Sequence, residues 1–262
     1  MTRIEVLDHG YIEAVESWGS EERIIEAARM STGKGFLGWG PAERAHSCAR
    51  GGDDRSPTDR CLACDQGAPG DEKLLRYLYE NKHSTPFEMA GLVVEVQAPI
   101  FVFREWHRHR TQSFNEMSAR YTPLPDLNYI PTVERLMVGS GGSNKQAGTV
   151  KGASPLTASR AELYREELRA MYGHQETMYR AALETGVPKE IARIHLPVGR
   201  YSRMRASANL RNWIAFLTLR EASGAQWEIR MYANALARLV AERFPRTYAL
   251  YAEDRARGGL NG

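Results

Sequence analysis

The stretch from Leu92 to Arg120 constrains this chain more than any other. Leu92–Gln97 is a β-rich run that stops just before Pro99, and Ile100–His107 follows as an apolar, aromatic segment with no breaker. The first predicts a strand and the second a short buried helix. Together they deliver the chain into Arg104–Arg120, seventeen residues holding four Arg, two His, two Glu and three hydroxyl side chains beside Trp106 and Phe114. A polar segment tethered to a strand and a buried helix belongs to the fold and is not a loose basic tail. Gathering several guanidiniums is costly unless an anion compensates them. The planar fork of arginine suits phosphate or carboxylate, and Ser and Asn add neutral hydrogen bonds around such a group. The segment therefore points to a small phosphorylated ligand. The alternative is an intersubunit ion-pair network through Glu105 and Glu116.

The rest of the chain supplies a scaffold. Ile4–Leu7 reads as a short strand, and Ser20 with Glu21 and Glu22 reads as the cap and acidic first turn of a helix reaching Met30. Asp71 is expected to cap a helix whose Leu74, Leu75, Leu78 and Tyr79 share one face. In Thr85-Pro86-Phe87-Glu88, Thr stands as a helix cap, Pro at the first helical position and Glu three residues after the Thr. A long helix is predicted from Ser159 to Glu184, closed by Gly186-Val187-Pro188. Its Leu163, Tyr164, Leu168, Met171, Tyr172, Met178 and Tyr179 recur at helical spacing, and core packing is the expectation for them. Further helices are expected over Pro188–His195, Leu210–Leu219 (with Trp213 and Phe216 in the core) and Gln226–Phe244. Residues 33–70 and 139–158 carry no periodicity and read as loops.

Composition excludes some classes. The chain has 262 residues, enough to bury a core as one large domain or two small ones. A net charge of +3 is too small for a nucleic-acid-coating protein. No run of about 18 apolar residues would span a membrane, and the N-terminus lacks a secretory layout, so a cytoplasmic location is expected. The three cysteines, Cys48, Cys61 and Cys64, form a poor disulfide framework. With His46 they supply four ligands of the type zinc prefers, although a loop with free thiols accounts for them equally simply; no metal is assigned. No cysteine lies near the Arg-rich segment. Dinucleotide-binding, phosphate-loop and His-Glu-x-x-His motifs are missing as well, so a site must be assembled from scattered residues.

Arg108-His109-Arg110, seven residues, then Ser118 resembles the Arg-His-Arg-x7-Ser signature of flavin-dependent thymidylate synthases. Three more segments resemble that family in the same order: Ala28-Arg29-Met30-Ser31, His83-Ser84-Thr85-Pro86-Phe87-Glu88, and Arg193 through Gln226-Trp227-Glu228. The resemblance covers nearly the whole chain outside the loops at 33–70 and 136–158. It implies an α+β fold, a mixed or antiparallel sheet packed with long helices in a single domain spanning residues 1–262. It also implies a homotetramer with active sites at subunit interfaces, no nucleic-acid partner and no membrane.

By position, the family implies that Ser31, His83, Thr85, Glu88, Arg108, His109, Arg110, Asn209 and Arg211 bind FAD. Glu105, Arg108, Glu116, Met117, Ser118, Ala119, Arg120, Arg193 and Arg220 would bind dUMP, with Arg220, Arg108 and His83 closest to the chemistry. NADPH and 5,10-methylenetetrahydrofolate would be cosubstrates. Three positions depart from the family's usual residues: Glu105 stands where Gln is frequent, Gly224 where many members carry His, and Ala215 where Asn is common. The rival readings are a flavoprotein NADPH oxidase of other specificity, a zinc-stabilised assembly protein, and a basic nucleic-acid-binding module with steep salt dependence and no chromophore.

Overall fold

The computed structural model describes residues 2–39, 70–138 and 154–258. His46, Cys48, Cys61 and Cys64 lie outside the described residues. Among those described, no helix is long and apolar enough to cross a membrane.

The architecture is α+β. Five strands, β1 (Arg3–Val6), β2 (Gly10–Trp18), β3 (Gly91–Pro99), β4 (Ser113–Glu116) and β5 (Tyr201–Asn209), form one sheet in the order β1-β2-β3-β5-β4. The registered pairs β1–β2 and β4–β5 are antiparallel, with Ile4 opposite Ile12 and Asn115 opposite Arg205. The helices are α1 (Glu21–Arg29), α2 (Asp71–Glu80), α3 (Ile100–Trp106), α4 (Val133–Met137), α5 (Ala158–Glu184), α6 (Lys189–Ala192), α7 (Leu210–Arg220), α8 (Trp227–Arg243) and α9 (Pro245–Ala256).

By its internal contacts the chain forms two compact units. The first comprises Met1–Val15, Val93–Ser207 and Phe216–Leu236. Its core includes Val94, Val96, Phe103, Trp106, Tyr201, Met204, Phe216 and Tyr232, all essentially inaccessible. The first N–H groups of α3 find partners here without a capping side chain: Ile100 donates to the Arg200 carbonyl (2.9 Å) and Phe101 to that of Val198 (3.0 Å). The second unit comprises Glu16–Leu92, Ala208–Ala215 and Ala237–Gly262, with Ile24, Ile25, Leu75, Phe87, Trp213, Val240 and Phe244 at its centre.

Several expectations are met. Ser20 caps α1 by accepting from the Arg23 N–H, α5 spans nearly the predicted range, and Trp213 and Phe216 are buried. Others are corrected. Gly70, not Asp71, is the cap of α2. Asp71 is fully buried as the first helical residue, where it pairs with Arg29 and accepts from the N–H groups of Leu37 (2.5 Å) and Gly38 (3.0 Å). Those three donors satisfy a carboxylate that would be expensive to bury alone.

Thr85 is not a helix cap. Residues Thr85–Met89 make a short 3₁₀ turn preceded by Ser84, no side chain caps it, and the Glu88 carboxylate turns to Arg211. Of the α5 stripe only Tyr179 is core: Leu163, Tyr164, Met171 and Met178 are more than two-fifths exposed, and Ala161 is the one other buried residue of that helix. The helix expected over Gln226–Phe244 is α8 (Trp227–Arg243), and α9 beyond it was not anticipated. Phe244 leaves helical geometry (φ −133°, ψ 62°) and Pro245 starts α9, because proline cannot accept the conformation or supply the N–H needed within a helix.

Candidate active site

In the first unit, α3 ends at Trp106 and the chain coils back on itself. His109 N–H donates to the Trp106 carbonyl (3.0 Å), Gln112 N–H to that of His109 (3.3 Å), and the Trp106 indole to the Gln112 amide oxygen (2.9 Å). Trp106 and His109 both lie against Phe216 of α7, with ring centroids 4.6 and 4.7 Å away. This packing sets the imidazole in place.

Arg220, the last residue of α7, then meets the coil at three points. Its Nε donates to His109 Nε2 (2.8 Å), its Nη1 to Glu105 Oε2 (2.8 Å) and its Nη2 to the Glu105 main-chain carbonyl (2.9 Å). Arginine has only donors, so His109 must accept through Nε2 and carry its proton on Nδ1. Burial, and secondarily the Arg220 charge, pushes the His109 pKa down to about 4 against the opposing pull of Glu105. The ring is therefore neutral near pH 7, and its remaining function is that of an Nδ1–H donor. The Glu105 carbonyl also accepts from the Arg108 N–H, so it is a C-terminal carbonyl of α3. Arg220 thus stands at the negative ends of two helix dipoles, a position that favours a cation.

Beyond the coil, β4 carries Glu116 opposite Met204, and Met117 N–H donates to the Arg203 carbonyl (2.7 Å). Ser118 opens a turn in which its hydroxyl accepts from Arg120 N–H and its carbonyl from Tyr121 N–H; Ala119 is buried beneath. Arg120 is exposed and pairs with Glu190 of α6 (3.1 Å). Three residues beyond Glu190, Arg193 begins a short 3₁₀ turn and is exposed. Arg108 and Arg110 are exposed too. Among the described residues no carboxylate pairs with the guanidinium of Arg108, Arg110 or Arg193.

The second unit holds the other predicted residues. Leu210 N–H donates to the Ala90 carbonyl (2.7 Å) and the Trp213 indole to that of Leu92 (2.9 Å), which seats the start of α7 beside the 85–89 turn. Asn209 accepts from Asn212 N–H (2.9 Å) at the head of α7, and Arg211 in the first turn pairs with Glu88. Thr85 and His83 are exposed, the latter edge-on to Tyr77 with centroids 5.5 Å apart. Ser31 is exposed in the 3₁₀ turn Met30–Thr32. Back in the first unit, a side chain added at Gly224 would meet nothing within 4 Å, so the absent histidine there leaves open space.

Sequence reading did not single out Glu190 or Gln112. Nothing in the spacing of Glu190 marks it as the partner of Arg120, seventy residues earlier. Nor did sequence reading identify β5, which carries Arg203 and Arg205, although buried Met204, Ala206 and Ala208 alternate there with the exposed arginines at period 2.

Comparison with known proteins adds the chemistry. The family model described as thymidylate synthase complementing protein matches residues 13–246. A flavin-dependent thymidylate synthase from Thermus thermophilus is 37% identical over 257 residues, covering 98% of this chain and 81% of that one. One from Thermosipho melanesiensis is 34% identical over 256 residues, covering 98% and 96%. Among solved structures, the UMP/dUMP methylase PolB from Streptomyces cacaoi bound with 5-Br UMP superposes with a TM-score of 0.70 at 31% identity, covering 96% of this chain and 97% of that one. The same methylase bound with 5-Br dUMP gives 0.70 and 31%, with coverage of 95% and 97%.

Proposed function

This chain belongs to the flavin-dependent thymidylate synthase family, and from that premise we propose that it converts dUMP to dTMP. In this reading 5,10-methylenetetrahydrofolate donates the carbon, and NADPH reduces a bound FAD. The observation that carries the reading is Arg220, held by Glu105 and His109 inside the very segment that bears the family signature.

The residues of the second unit fit FAD. Arg211, in the first turn of α7, suits its diphosphate. The exposed side chains of Ser31, His83 and Thr85 suit its hydroxyl and ring acceptors, and Glu88 suits a ribityl or ribose hydroxyl. Arg108, His109 and Arg110, in the first unit, are also assigned to FAD by the family resemblance. Bound and reduced, FAD supplies the hydride that completes the methyl group.

The chain's own residues supply orientation and charge. Arg120 and Arg193 receive the nucleotide phosphate, with Ser118 as a neutral donor beside them; Glu190 occupies Arg120 until the anion arrives. Glu116, Met117 and Ala119 line the nucleotide, and Arg108 bridges nucleotide and flavin. Arg220 faces a uracil carbonyl, where it would stabilise negative charge that gathers on that oxygen during the reaction. No cysteine is used as a nucleophile. His109, neutral and protonated on Nδ1, donates a hydrogen bond and takes no part as a general acid near pH 7.

A homotetramer is part of the same proposal. Its support is the exposed apolar face of α5, Leu163, Tyr164, Met171 and Met178, since a contiguous exposed apolar patch marks an interaction surface.

The test is an absorbance spectrum of the purified protein, then NADPH oxidation with and without dUMP, with mass detection of dTMP. Flavin bands at roughly 375 and 450 nm with dUMP-dependent dTMP formation are expected. Flavin with no product from dUMP overturns the substrate. UMP belongs in the same assay, because the PolB relative is described as acting on both nucleotides.

A further inference from the structure

Glu105 has a different task from the nucleotide-binding one that family position suggests. One of its carboxylate oxygens and its main-chain carbonyl both accept from the same side chain. Its carboxylate takes Arg220 Nη1 and its main-chain carbonyl takes Nη2, while His109 takes Nε. Three contacts from three nitrogens fix the plane of the guanidinium. Of the five N–H groups that arginine carries, two are left, one on each terminal nitrogen. Their direction is then set by Glu105 and His109 rather than by rotation of a flexible side chain. The burial of the pair is unequal: the Arg220 side chain is 16% exposed and that of Glu105 41%. An ion pair with so wet a carboxylate contributes little to stability, so its consequence is geometric.

We propose that Glu105 is a positioning residue for Arg220: it aims the two remaining N–H groups of Arg220 at the pyrimidine and does not itself touch the nucleotide. This rests on the reading of the chain as a dUMP methylase, but its first half concerns the ligand-free protein alone. Because Glu105 acts through Arg220, its loss is felt in turnover and not in nucleotide affinity. Because it acts by accepting hydrogen bonds, a neutral acceptor of the same length recovers much of the effect. Had Glu105 bound the uracil N–H directly, its loss would weaken binding and would add to the loss of Arg220.

Two measurements test this. In ligand-free protein labelled with ¹⁵N-histidine, the His109 Nε2 resonance (assigned with His109→Gln) reports the Arg220 hydrogen bond. Glu105→Gln should keep the wild-type signal, and Glu105→Ala should move it to the position seen in Arg220→Ala. A wild-type signal in Glu105→Ala overturns the proposal whatever the substrate proves to be. In the flavin-loaded enzyme, Glu105→Ala should lower kcat about 100-fold, the scale of a small misplacement of a catalytic group. Its dUMP Kd by calorimetry should stay within about threefold, and Glu105→Gln should recover at least about tenfold of the lost rate. Adding Glu105→Ala to Arg220→Ala should cost no further rate. A tenfold rise in Kd, or additive losses in the double variant, overturns the proposal; failure of the wild-type protein to make dTMP overturns the substrate reading and leaves the resonance test standing.

Discussion

Helix α7 carries an arginine at each end, and the two are held in opposite ways. Arg211 sits in the first turn, where the helix dipole is unfavourable to a cation, and a single carboxylate, Glu88, offsets it. Its side chain is 52% exposed. Arg220 closes the helix, where the dipole favours a cation, and three acceptors lock a side chain that is 16% exposed. The difference teaches what each is for. A wet arginine with one partner can exchange that partner for a ligand anion at little cost. A fixed arginine with three partners serves as a rigid dipole, best suited to charge that appears only during reaction.

Replacing the fixed arginine gives the largest expected effect. Arg220→Ala should lower kcat/KM by on the order of 100- to 1,000-fold, with flavin content in the spectrum unchanged; loss of flavin with turnover preserved in the remaining holoenzyme would erase the contrast between the two ends. Arg120 resembles Arg211, exposed and paired with a single carboxylate, Glu190. Arg120→Ala and Arg193→Ala should each weaken dUMP binding at least about tenfold, the worth of one charge-assisted hydrogen bond. Calorimetry checks this, and an unchanged dUMP Kd with reduced flavin content is the contrary outcome. Arg211→Ala should weaken FAD by only about fivefold, since exposed pairs contribute about 1 kcal/mol or less, and leave the dUMP Kd alone. Fluorescence titration of the apoprotein would sharpen or break that ranking.

The smallest effect concerns pH. The folded pKa of His109, about 4, lies below its ordinary value, so the unfolded chain binds more protons between those limits. The contribution of neutral His109 is complete above about pH 6.5, where neither state holds the proton, and is lost as pH falls towards 4. His109→Gln should flatten that part of the stability curve in denaturant titrations from about pH 7 to 4; an unchanged slope would mean the ring is not held neutral by burial beside Arg220.

The elements and the site were legible to different degrees. Ser20, the 27-residue helix α5 and the buried aromatics Trp213 and Phe216 follow from local capping and periodicity. Asp71 and Thr85 failed as caps because each residue's surroundings outbid the local signal: Asp71 is taken by Arg29 and two distant N–H groups, and the 85–89 turn is shaped by the start of α7. The α5 stripe misled for another reason. Periodicity reports that a face is apolar, and says nothing of whether the cover comes from the same chain.

By itself the sequence determined the chemistry on offer: an Arg-rich segment fixed behind a strand and a buried helix, the order of four family segments, and no cysteine among them. Tertiary structure decided which of many possible carboxylates meets which arginine. Glu105 and Arg220 are 115 residues apart, and only the packing of α3 and the end of α7 around Trp106 and Phe216 brings them within 2.8 Å. An ion pair this wet is too weak to choose a fold, so the apolar core chooses it, and the pairing of charges follows from where that core leaves them.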